Sequence, residues 1–229
     1  EGVRGAEVRG LRALLWLDDD NRAQAVREAR QALQKDPAQH EAAIVEATLA
    51  LWEQRLDESA DVFGQVLVRH PDSGRALLGL GQERMLRGDV AAGRTLIERA
   101  TKVMPDHLGT WHAFAWCQLI EGDLAGARAS FEHALAVDRT FGETHGGLAL
   151  VHALRSERTE AEASIRRAMR LDPNGRTARY ARSVLLLDEG LVDEARAEVA
   201  QLMTLSPGIG VAISADFIFR LRELVRPRG

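Results

Sequence analysis

Proline recurs at a fixed interval along this chain. Pro37, Pro71, Pro105, Pro173 and Pro207 belong to a ladder of six positions 34 residues apart, broken once by Arg139. Such a period constrains the fold more than any composition can. A unit of about 34 residues cannot bury a core alone, so each must lay its apolar face on the next. Twelve residues before each rung stand Ala25, Ser59, Gly93, Ala127, Ala161 and Ala195. Twenty-four before stand Ala13, Ala47, Gly81, Ala115, Ala149 and Ser183. Small residues at repeated places let two helix backbones approach closely. Eight before each rung come Ala29, Phe63, Ile97, Phe131, Ile165 and Val199, and five before come Ala32, Val66, Ala100, Ala134, Ala168 and Leu202. These offsets spell the i, i+4, i+7 stripe of an amphipathic helix. The turn formers Gly88-Asp89, Gly122-Asp123 and Gly190 interrupt the units midway, with glycine suited to a left-handed helix end. Each unit therefore reads as helix, tight turn, helix, and a turn marked by proline.

The pattern resembles the tetratricopeptide repeat over about residues 6–207. The match is closest around Trp111, Phe114, Ala115, Gly122, Ala127, Phe131 and Ala134. Departures are Arg9 and Arg12, where the family prefers large apolar residues, and His145 and His152 in two further large-residue slots. The resemblance implies an all-α fold: a right-handed superhelical α-solenoid of stacked antiparallel helix pairs. Its six repeats fall at about 6–39, 40–73, 74–107, 108–141, 142–175 and 176–209. Beyond Pro207 the pattern stops, because Phe217 would occupy a small-residue slot. Residues 212–225 read instead as one amphipathic helix with Ile213, Phe217, Leu221 and Leu224 on a stripe. It resembles a capping helix, so 210–229 is expected to be that helix and a tail. Ile218 and Phe219 add apolar area to it.

In this family the first helix of each pair lines a concave face. Carried over, the lining here is Glu41, Ile44, Thr48, Arg75, Leu78, Gln82, His112, Trp116, Glu143, Leu150, Thr177 and Tyr180. A mixed apolar and hydrogen-bonding surface of this sort suits an extended peptide or an amphipathic helix of a partner protein. Trp116 is the expected anchor, supported by Tyr180 and Arg75, since these residue types dominate interfaces. Family members that grip acidic chaperone tails place Lys, Asn and Arg in the first repeats. Gly10, Leu14, Ile44 and Thr48 stand there instead, so that activity is not expected.

Charge and cysteine usage narrow the remaining classes. A net charge of −4 with interspersed signs argues against a nucleic-acid surface. Cys117 is the only cysteine, which excludes an internal disulfide and a cysteine-built zinc site; within an apolar helix it reads as an inert buried thiol. His145 and His152 lie two turns apart near Glu143, about 10 Å, too far to converge on one ion. Asp18, Asp19 and Asp20 lack the spacing of a calcium loop and read as a solvated helix end. No phosphate, dinucleotide or nucleophile-elbow motif occurs, so no catalytic residue, cofactor or metal is expected. No run approaches the roughly 20 apolar residues that span a bilayer, and no signal peptide is visible. The chain begins at Glu1, which leaves a processed product or a fragment as open readings. Only Lys35 and Lys102 among 30 basic residues are lysine, a bias associated with GC-rich bacterial genomes. The expectation is a non-catalytic protein–protein interaction scaffold in a bacterial assembly or secretion process. It is soluble, and cytoplasmic in preference to periplasmic. The alternatives are a self-associating scaffold, joined through its end faces or C-terminal helix, and the substrate-recruiting part of a larger enzyme.

Overall fold

The computed structural model describes residues 2–205, and all of the regular structure among them is helical. Twelve helices follow one another: α1 (Gly2–Asp18), α2 (Arg22–Lys35), α3 (His40–Trp52), α4 (Leu56–Arg69), α5 (Gly74–Leu86), α6 (Val90–Val103), α7 (Leu108–Ile120), α8 (Leu124–Val137), α9 (Gly142–Leu154), α10 (Arg158–Leu171), α11 (Arg176–Asp188) and α12 (Val192–Leu205). Odd and even helices pair through three-residue turns, and four residues join one pair to the next. The expected helix at 210–229, with Phe217, Ile218 and Phe219, lies outside the described residues.

Both kinds of turn repeat in chemical detail. Each three-residue turn holds one left-handed residue: Asp20 (φ 54°), Gln54 (61°), Gly88 (86°), Gly122 (79°), Ser156 (62°) and Gly190 (79°). These are again 34 residues apart. The following N–H then reaches back to a carbonyl five residues earlier, as from Asn21 to Trp16 and from Asp123 to Gln118, both 2.8 Å. This closure satisfies carbonyls that a helix end leaves open. The sequence marks only the three glycine cases. Three longer turns are held by an aspartate that accepts a backbone N–H two residues on: Ala38 to Asp36 at 3.0 Å, Thr140 to Asp138 at 2.7 Å, and Asn174 to Asp172 at 2.9 Å. Arg139 can therefore replace proline because Asp138 already fixes that turn.

The described residues form two compact units, the first ending at Val103 and the second starting at Met104. In the first, Ala13, Ala25, Ala29, Val45, Ala47 and Phe63 are fully buried. A Cβ added at Gly93 would stand 2.7 Å from the carbonyl oxygen of Gly81. The small columns are thus contacts of backbone against backbone. In the second unit the core gathers Ala115, Leu119, Phe131, Ala149, Leu150, Ala161 and Val184.

Size is traded between successive pairs. The Phe63 ring of α4 fills the place a side chain would take at Gly79 of α5. Phe131 of α8 does the same at Gly147 of α9. The corresponding residues in the first two pairs, Ala29 and Val45, reverse the sizes. Summed volume is kept while its source moves, as close packing requires.

Candidate functional site

The expected concave lining falls into three columns on the odd helices, and the structure treats them unequally. In the first unit, Glu41, Thr48, Arg75 and Gln82 remain half-buried, while Ile44 and Leu78 are buried at 3% and 9% exposure. The Thr48 hydroxyl donates to the Ile44 carbonyl at 2.8 Å. Glu41 accepts from the Gln39 side chain, whose own oxygen accepts the Ala42 N–H and caps α3. Arg75, at the start of α5, donates two hydrogen bonds to Asp18 at the end of α1, at 2.7 and 2.6 Å. The two residues belong to the first and third pairs, so this bridge skips α3. Paired bonds from a planar guanidinium fix orientation as well as distance. Asp18 is therefore a partner of Arg75, which the reading of a solvated acidic run does not capture.

In the second unit the lining closes at α9 and α11, where Leu150, Thr177 and Tyr180 are buried, while His112, Trp116 and Glu143 stay half-buried. His112 is hydrogen-bonded to the Thr144 hydroxyl at 2.8 Å and lies edge-on to Phe131 and Phe141. Burial pushes its pKa down to about 4, so the imidazole is neutral at pH 7. Trp116 is half-buried against the core, edge-on to the Tyr180 ring at 6.4 Å. Tyr180, Thr177 and Leu150 are buried. Burial raises the Tyr180 pKa above its ordinary value. Glu143 accepts the Thr177 N–H at 3.1 Å, the Arg176 N–H and the Thr177 hydroxyl. A carboxylate here satisfies open N–H groups and meets the positive end of the α11 dipole. Glu143 is thus a cap supplied by the preceding pair.

The cause of the closure is Gly146. A Cβ there would stand 2.8 Å from the Ala178 backbone nitrogen, so the bare backbone lets α9 and α11 touch. Among the carried-over residues, Leu150, Thr177 and Tyr180 are consumed by that contact. The third column runs Leu14, Thr48 and Gln82 in the first unit, all half-buried; in the second, Trp116 is half-buried, and Leu150 and Val184 are fully buried. The signature tryptophan, Trp111, stacks on His133 with ring centroids 3.8 Å apart and donates to the Pro105 carbonyl at 2.7 Å. It braces the proline turn.

The other sites considered are structurally engaged. His145 contacts the Arg139 carbonyl at 3.0 Å and Arg167 at 3.3 Å, whereas His152 pairs with Glu157 at 2.6 Å. No group of three His, Cys, Asp or Glu side chains among the described residues could hold a metal ion. Cys117 is a fully buried thiol. No helix among the described residues is long and apolar enough to cross a membrane.

Comparison with known proteins agrees with this geometry. The chain is similar in fold to PilF of Pseudomonas aeruginosa, at 18% identity and a TM-score of 0.66, over 91% of this chain and 95% of that one. It is equally similar to PilW, described as a widely conserved type IV pilus biogenesis factor, at 18% identity and a TM-score of 0.66, over 90% and 96%. A third structure, YrrB, described as having an unusual peptide-binding site, matches at 18% identity and a TM-score of 0.54, over 74% and 88%. No curated protein matches the sequence. The family model described as tetratricopeptide repeat matches residues 44–102 and 147–208, more than half of the chain. With twelve helices in about six repeating pairs among its described residues, the chain belongs to the tetratricopeptide repeat family.

Proposed function

We propose that this protein is a non-catalytic scaffold that holds a peptide or helix of a partner protein along the odd-helix face of its first unit. Membership in a family of interaction modules supports binding. The observation that carries the location is the column Leu14, Thr48 and Gln82, which stays half-open in the first unit. Glu41 and Arg75 beside it supply fixed polar groups for orientation. In the same column of the second unit Trp116 also stays half-buried. A bacterial assembly process is the setting, for which the fold-level likeness to a pilus biogenesis factor is the support.

The test is affinity capture from a bacterial lysate, with wild type beside Thr48→Arg and Gln82→Arg, read by mass spectrometry. Both positions are half-buried, so helicity by circular dichroism is expected to be unchanged. A partner retained by wild type and lost from both variants supports the reading. Identical captures by all three proteins defeat it.

A further inference from the structure

The first helix carries an apolar stripe that nothing among the described residues covers. Val8, Leu11 and Leu15 of α1 are 56%, 53% and 64% exposed. The repeat makes this meaningful, because the equivalent positions are covered elsewhere. Val8 corresponds to Ala42, Ala76, Thr144 and Ala178, and all four are buried. Leu11 corresponds to Val45, Gly79, Gly147 and Ala181, which lie beneath the even helix of the preceding pair, as Gly79 lies beneath Phe63. Leu15 corresponds to Leu49, Glu83, Val151 and Leu185, of which all but the half-buried Leu49 are buried. On α1 these places hold a valine and two leucines.

Charge says what fits. At 3.6 residues per turn, Arg4, Val8, Leu11 and Leu15 fall within an arc of about 60°. Asp18 and Asp19 flank the same line one turn beyond Leu15. Arg4 and Asp19 are exposed and have no ion-pair partner among the described residues; Asp18 is engaged by Arg75. At the edges, Arg9 and Arg12 are both held by Glu28, at 2.9 and 3.4 Å, and Glu7 is exposed. A helix with one charge at its head and the opposite charge at its foot is complementary to itself in the antiparallel sense. Turned about Leu11, the stripe of a second copy sets Leu15 on Val8 and the aspartates on Arg4.

We propose that α1 is the interface of a two-fold homodimer, with two copies packed antiparallel through Val8, Leu11 and Leu15 and flanked by two Arg4–Asp19 pairs. This surface adjoins the half-open odd-helix column, whose Leu14 lies on the same helix.

Sedimentation equilibrium on the 229-residue chain tests it. A reversible monomer–dimer equilibrium is expected, and Leu11→Glu raises its dissociation constant about tenfold or more, as for a charge placed at an interface centre. Arg4→Asp and Asp19→Arg each weaken the dimer about two- to fivefold. Their equimolar mixture recovers wild-type affinity, because the mixed dimer holds one native pair and one reversed pair. That recovery reads orientation and does not depend on any variant's fold. A wild type that stays monomeric overturns the proposal. A dimer indifferent to Leu11→Glu, or a mixture that recovers nothing, overturns it too.

Discussion

Six left-handed residues punctuate the helix pairs, and half of them are not glycine. A side chain costs about 1–2 kcal/mol in that conformation, so Asp20, Gln54 and Ser156 carry a strain that Gly88, Gly122 and Gly190 avoid. Gly88 isolates the effect, since nothing lies within 4 Å of a Cβ added there. Gly88→Ala is expected to lower stability by about 1 kcal/mol. Gln54→Gly is expected to be neutral or slightly stabilising, because relieved strain opposes the extra freedom of the unfolded chain. Urea titration of both variants checks this; equal losses would mean that the turns do not share one conformation. His112 gives a second prediction at this scale. Its folded pKa, about 4, lies below the ordinary 6.5, so the unfolded chain takes up the proton first. The stability tied to the neutral ring is full above pH 6.5 and is lost as pH falls toward 4, by roughly 3 kcal/mol. His40 shifts in the same direction, chiefly through burial. The comparison is therefore wild type against His112→Gln, and the variant is expected to show a shallower decline between these pH values.

Between elements, the governing interaction is a large residue on an even helix set against a small one on the next odd helix. Gly79→Ala drives a methyl group into the Phe63 ring and is expected to cost about 1–3 kcal/mol. Phe63→Leu leaves a gap of its own. The double variant is expected to be more stable than the sum of the single losses predicts, with a coupling of at least about 1 kcal/mol. Additive losses in a double-mutant cycle would remove the packing argument. Glu143 acts at the same scale, and Glu143→Ala is expected to cost about 1 kcal/mol by uncapping α11, visible as faster amide exchange at Arg176 and Thr177. These features also show where the sequence stops being informative. The small and bulky columns are readable because a period fixes which residues meet inside a pair. The cap is not, since Glu143 and the N–H groups that donate to it are 33 and 34 residues apart and a lone glutamate on a lining helix reads as a groove charge. The closure of α9 on α11 likewise hangs on Gly146, whose meaning depends on an interhelix distance that no register supplies. The register puts the lining positions on the odd helices but does not give their exposure, and Leu150, Thr177 and Tyr180 are buried.

For the whole molecule, the repeat predicts how damage spreads. In a stack, each pair is stabilised by its own closure and by its neighbours, so stability is a sum of local and nearest-neighbour contributions. The contact α7 makes with α8 turns on Ala115 and Ala127, both fully buried. Ala127→Arg forces a long charged side chain into that contact, at a cost of several kcal/mol once the overpacking and the buried charge are combined. The same substitution at Ala25 strikes the pair α1 and α2, whose neighbouring pair among the described residues is α3 and α4. Hydrogen exchange should separate the two. Ala127→Arg is expected to strip protection from α7, α8 and α9 while α1 and α2 keep theirs, and Ala25→Arg is expected to expose α1 and α2 while α9 and α10 keep theirs. Uniform loss of protection across all twelve helices in either variant would mean that the chain unfolds as a single cooperative block, and that stability cannot be divided among the pairs.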